Sequence, residues 1–258
     1  MTTTTITRPH ADIAGPTPRR AIAIARLIVA NPWTTLILPW IILGVIFAGN
    51  WLIWLMLSMA LGPEAMANAQ QGMMWSGAST YAFIYMLVVA TQAVNAAFPL
   101  ALGWGATRRA FSLGSGLLWV ALSALYAAGY TLLGLVEELT GGWGLGGRMF
   151  TAVYFGDGAW WTRFPIILAY FLFFFFFGSV VASIYVRWRS NGVLLFFAVV
   201  GIAALGGALL VTLSDAWIPF WLGIAALGAG GIAAWSLPVS AIAAVGGWLL
   251  LRRATPRV

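Results

Sequence analysis

Residues Phe164–Val186 read FPIILAYFLFFFFFGSVVASIYV, and this uncharged run decides the fold class. As a helix rising about 1.5 Å per residue it would be about 35 Å long, enough to cross a hydrocarbon core of about 30 Å. It ends at Arg187-Trp188-Arg189-Ser190-Asn191-Gly192, after which Val193–Leu213 is again uncharged. Two apolar runs joined by a short arginine-bearing link read as a membrane-crossing helical hairpin.

The same pattern extends in both directions. Apolar blocks at 34–57, 77–102, 111–136, 164–186 and 193–213 each predict one span. The block Phe220–Leu251 would make a helix of about 48 Å, too long for one span and too short for two. Gly228, Gly230, Gly231 and Pro238 interrupt it, so it divides into an outer re-entrant or helical hairpin at 216–230 and a sixth span at 233–251. Upstream, residues 1–17 are Thr-rich and Pro-broken and read as a disordered cytoplasmic tail, and the only histidine, His10, reads as a solvated residue within it. Between tail and first span, residues 18–31 carry Arg19, Arg20 and Arg26, with Ile22, Leu27 and Val29 available for an apolar side. This predicts an interfacial helix, or an inward extension of the first span. The expected architecture is an all-α integral membrane protein with a single transmembrane domain over 18–258 and six spans.

Composition agrees. The 258 residues are 62% hydrophobic and 7% charged, and the mean hydropathy is +0.95, whereas a soluble domain is about 25% charged. All 13 basic residues are arginine. They occur in small groups between apolar blocks rather than as one patch, which argues against a nucleic-acid partner. On the six-span layout Arg8, Arg19, Arg20, Arg26, Arg108, Arg109, Arg187, Arg189, Arg252, Arg253 and Arg257 share one side, with only Arg148 and Arg163 opposite. The positive-inside rule makes the crowded side cytoplasmic, with both termini there, in the plasma membrane. Glu64, Glu137, Glu138, Asp157 and Asp215 fall outside.

The chemistry-bearing residues are few. The chain has no cysteine and no lysine, and no aspartate or histidine within a span, so neither an intramembrane catalytic site nor a phosphate-cradling P-loop is available. The chain is therefore read as no enzyme, with no cofactor of its own. A gradient-driven carrier needs an ionisable group near the midplane, and every acid lies in a loop or at a span end. Asn50, Gln92 and Asn95 are the candidates for a polar cavity, or for interhelical hydrogen bonds. The run Phe171–Phe177 is read as packing or a lipid face rather than a drug-binding surface. The short loop Gly103–Phe111 holds Arg108 and Arg109 close to the membrane between two rigid helices. That placement suits a mechanical contact with a peripheral partner, and it suits a simple topology anchor as well.

Four stretches together carry a resemblance. The loop Gly105-Ala106-Thr107-Arg108-Arg109-Ala110-Phe111, the outer segment Glu137-Glu138-Leu139-Thr140-Gly141-Gly142-Trp143-Gly144, the link Arg187–Gly192 and the terminal Arg252-Arg253-Ala254 resemble actinobacterial permease subunits of ABC exporters of the type 2 group (type V exporter fold). The resemblance covers roughly 20–258 in layout. It implies a six-span permease that exports a hydrophobic or amphipathic substrate. Its partners would be a second permease copy, identical or related, and cytoplasmic ATPase subunits that bind ATP and Mg. It further implies an N-terminal elbow helix, here Arg19, Arg20, Arg26 and Leu27, and an ATPase-coupling loop, here Thr107, Arg108, Arg109 and Phe111. Short outer helices before the last span also fit. The rival readings are a membrane scaffold or sensor subunit that transports nothing, and a gradient-driven carrier.

Overall fold

The computed structural model describes residues 18–254. The expected disordered tail with His10, and the last four residues, lie outside the described residues, and so does the side chain of Arg19. The described elements are helical. In chain order they are α1 (Pro18–Ile28), a π-helical turn Trp33–Ile37 leading into α2 (Leu38–Ala60), α3 (Pro63–Met73), α4 (Tyr81–Gly103), α5 (Arg108–Leu139), α6 (Trp160–Leu213) and α7 (Trp217–Arg253). Five helices are long and apolar enough to cross a membrane, and they include every expected span.

The two longest helices are each broken by one residue of positive φ. A straight 54-residue α6 would be about 81 Å long, far beyond any bilayer core. At Arg189 the backbone turns to φ 60°, ψ −155°, and the chain reverses: the rings of Phe177 and Phe196, nineteen positions apart, lie 6.1 Å from each other. The break falls in the Arg187–Gly192 link where the sequence places it. In α7 the break is Gly228, at φ 59°, ψ −175°, a region open essentially to glycine alone. It separates an outer piece at 217–227 from a final helical stretch at 229–253. That stretch runs parallel to the first half of α6, because Ser236 reaches the Ala169 carbonyl and Gly247 faces Val180 and Ser183.

Two sequence expectations need correction. No element is expected between the spans ending at 57 and starting at 77, yet Pro63 starts a helix there; its polar residues Glu64, Gln70 and Gln71 hide it from a hydropathy reading, and Gln70 Nε2 donates to the Leu145 carbonyl at 3.4 Å. The apolar side of α1 is centred on Ile24, which is buried, whereas Ile22 is 44% exposed.

The core is an aromatic seam. Phe171 and Phe175, one helical turn apart, are buried: Phe175 stacks on Trp119 at 5.1 Å, while Phe171 meets Phe83, Tyr126 and Tyr130. Without water there is little hydrophobic drive between helices, so van der Waals contact and hydrogen bonds must hold them together. The two fully buried tyrosines accordingly find acceptors, Tyr126 on the Thr35 carbonyl at 2.6 Å and Tyr130 on the Ser79 carbonyl at 2.9 Å, whereas the buried hydroxyl of Tyr81 has none. Where α4 and α6 touch, Gly178 lies directly against the Leu87 carbonyl, and Thr91 Oγ1 donates toward the carbonyls of Leu87 and Gly178 at 2.9 and 3.1 Å.

Candidate functional site

The end of the bundle that carries the arginines is built from four elements. α4 stops in a C-terminal motif in which Gly105 adopts φ 81° and the Ala106 N–H returns to the Ala101 carbonyl at 2.9 Å, a left-handed position that glycine fills without a Cβ penalty. Two residues later Thr107, in extended backbone, accepts the Ala110 N–H at 3.1 Å on its hydroxyl and so caps α5. The connection therefore holds no helix of its own; the residues expected to couple to an ATPase are the N-cap and first turn of α5.

Thr107 and Arg109 are exposed. Arg108 is half-buried, and its Nη1 donates to the carbonyls of Arg252 at 3.0 Å and Leu251 at 3.4 Å. A cation on the last carbonyls of a helix satisfies acceptors that have no intrahelical partner, so Arg108 latches the α4–α5 connection to the end of α7. Phe111 is fully buried against Phe98, with ring centres 5.1 Å apart, and acts inside the hairpin rather than on its surface.

α1 packs on the same end. Ile24 sits on Gly114, so closely that a Cβ on Gly114 would fall 2.6 Å from the Ala21 carbonyl oxygen. Further along, the Thr35 carbonyl meets Tyr126 and Trp40 lies on Gly129, so residues 24 to 40 advance in step with α5. A cleft of about 380 Å³ lies between α1 and the connection, lined by Arg20, Ala23, Ile24 and Leu27 on one side and Ala101, Trp104, Gly105 and Ala106 on the other. Arg26 is exposed in the last turn of α1. α1 and the α4–α5 connection, far apart in sequence, thus share this cleft; Arg20 and Leu27 line it, and Thr107, Arg108, Arg109 and Phe111 do not.

The opposite end is closed by the segment 141–157. Its anchor is Glu137, 1% exposed, which accepts bonds from Trp143 Nε1, the backbone N–H groups of Met149, Phe150 and Thr151, and Thr151 Oγ1, at 2.6 to 3.1 Å. Arg163, 5% exposed, pairs with Glu138 and donates to the Gly156 carbonyl. A cleft of about 540 Å³ opens here beside Gln70, Gln71, Arg148 and Asp157, but its charged groups are engaged with one another, Arg148 with Asp157 at 3.7 Å. Tyr154 donates to the Ser76 carbonyl at 2.6 Å; burial raises its phenol pKa, against the opposing hydrogen bond from Ser79, so the donor stays protonated. The sequence reading treated these acids and Arg163 as loop charges. The clue was the Glu-Glu pair at a span end followed by glycines, which reads equally as an interfacial turn.

The three amides proposed for a polar cavity are not brought together. Asn50 bonds within its own helix to the Ile46 carbonyl at 2.9 Å, Gln92 is exposed, and Asn95 Oδ1 is buried with no hydrogen-bond partner. The interhelical bond foreseen for them is made by Thr91.

The fold defines an all-α membrane protein, with an arginine-bearing surface at one end. No protein-family model matches the chain, and no curated protein or solved structure is significantly similar to it.

Proposed function

We propose that this chain is the permease subunit of an ATP-driven exporter of the ABC type. It crosses the plasma membrane six times with both termini in the cytoplasm, and it works with a second permease copy and with ATPase subunits that bind ATP and Mg. Its substrate is hydrophobic or amphipathic. The observation that carries the reading is the mechanical joining of α1, the α4–α5 connection and the end of α7 at the arginine-rich face. A push there reaches three spans at once: through the Ile24–Gly114 contact, along α5, and through the Arg108 latch to α7. Rigid helices moved together by nucleotide-driven closure of a partner would rock the bundle between inward and outward states. The six-span layout is supported by the reversal at Arg189 and the break at Gly228.

The test begins with the gene neighbourhood, where a Walker-motif ATPase is expected; the chain is co-purified with that ATPase, and ATP turnover of the assembly is measured in lipid. The complex is expected to turn over ATP at a rate different from the ATPase alone, and Arg26→Glu with Arg109→Glu is expected to weaken assembly. Arg108 is left intact, because its substitution would also free the end of α7. Failure of the two proteins to associate, or turnover and assembly unchanged in the double variant, overturns the coupling surface.

A further inference from the structure

A second cleft at the arginine-rich end lies between α5, α6 and α7 and shares Arg109 with the surface just described. Its volume is about 590 Å³. Leu113, Leu117 and Val120 of α5 and Val245 and Trp248 of α7 form its rim, and all five are exposed. The hollow exists because small residues line it: a Cβ on Gly116 would find only a ring carbon of Phe176, at 4.0 Å. Trp119 bounds it from within, fully buried and with no hydrogen-bond partner for its indole N–H.

The two ends of the cleft differ in charge. Arg109 lines it at the polar end, and the Arg252 guanidinium sits over the Trp248 ring at 5.3 Å. No carboxylate lines the cleft. From Arg109 to Val120 is eleven residues of helix, about 16 Å, of which only the first turn is charged. An apolar furrow of that length, open along its side to the bilayer and headed by two guanidinium groups, has the polarity of a phospholipid. Arginine pairs well with phosphate oxygens. A zwitterionic headgroup would bring its own cation against the two arginines, whereas an anionic one would not.

We propose that this cleft is a binding site for one anionic phospholipid of the leaflet at the arginine-rich face, its phosphate held by Arg109 and Arg252 and one acyl chain lying over Gly116 toward Trp119. The site shares Arg109 with the proposed coupling surface but does not require an ATPase, and it is tested without a partner. The full chain, purified in a mild detergent, is titrated with phosphatidylglycerol and with phosphatidylcholine of identical acyl chains, and bound lipid is counted by native mass spectrometry. Phosphatidylglycerol is expected to be retained over phosphatidylcholine by about fivefold for each arginine engaged. R109Q with R252Q is expected to bring the ratio to about one, and G116L, which has room for its Cβ, to reduce retention of both lipids. Equal retention of the two lipids by the unaltered chain overturns the site. So does a preference that survives R109Q/R252Q, or a monodisperse G116L variant that retains phosphatidylglycerol as before.

Discussion

Glu137 shows how much one side chain can hold. Its carboxylate takes five donors, three of them consecutive backbone N–H groups that no helix or turn would otherwise satisfy. Hydrogen bonds to a charged acceptor contribute about 1.5–3 kcal/mol each, and removing the acceptor strands buried donors. Glu137→Ala is therefore expected to destabilise the protein by about 3–5 kcal/mol, the cost typical of breaking a buried charged network. Glu137→Gln should fall between, since its amide keeps one acceptor oxygen and sets an NH2 against the donors. Thermal unfolding followed by size-exclusion chromatography of the fluorescently tagged protein checks both. Glu138→Ala leaves Arg163 buried beside only the Gly156 carbonyl, and is expected to lower the unfolding temperature less than Glu137→Ala. An unshifted midpoint for Glu137→Ala would show that the outer segment is not held through this carboxylate.

At the scale of elements, the contact of α1 with α5 is sensitive to a single methyl group. Gly114 lets the backbones approach until a Cβ would stand 2.6 Å from the Ala21 oxygen and 2.9 Å from Ile24 Cβ. Gly114→Val overpacks that crossing, and such overpacking costs about 1–3 kcal/mol. A non-helical turn at residues 29–31 separates α1 from the first span, so α1 can lift away without unfolding the spans and the cost appears as local opening. Tryptic cleavage after Arg20 or Arg26 is expected to accelerate by about tenfold, the equivalent of about 1.4 kcal/mol, with the unfolding midpoint of the bundle little changed. Equal cleavage rates in the two proteins would mean that α1 is not held at Gly114. Glycine at 114 carries no visible mark in the sequence, because a glycine within an apolar span has many possible reasons.

For the whole molecule the testable quantity is sidedness. The chain contains no cysteine, so single cysteines can be placed without removing any. Cysteines at Thr107 and Asn191 are expected to react with a membrane-impermeant maleimide only from the cytoplasmic side, and those at Gly144 and Ser214 only from outside. Labelling of positions 107 and 191 from opposite sides would break the six-span layout and, with it, the proposed coupling surface. Carrying an arginine through lipid costs about 2.5–3.5 kcal/mol even on the lower scale, so on the proposed six-span layout the arginines would favour one orientation.

The helical class, the presence of apolar helices long enough to cross a membrane and the two helix breaks were legible in the sequence, because bilayer thickness fixes how many apolar residues a span takes and because arginines and glycine clusters interrupt those runs. α3 was not legible, since its polar residues give no membrane signal. The sequence also marked Thr107, Arg108 and Arg109 as a group but left their separate tasks open. Only the tertiary structure assigned them: Thr107 caps α5, Arg108 latches α7 and Arg109 is the exposed member of the arginine pair. The same holds for Glu137 and Arg163, which look like loop charges until distant segments close around them. Transfer energies along the chain decide which residues enter a membrane, whereas a buried charge is set by groups that the fold brings to it from elsewhere.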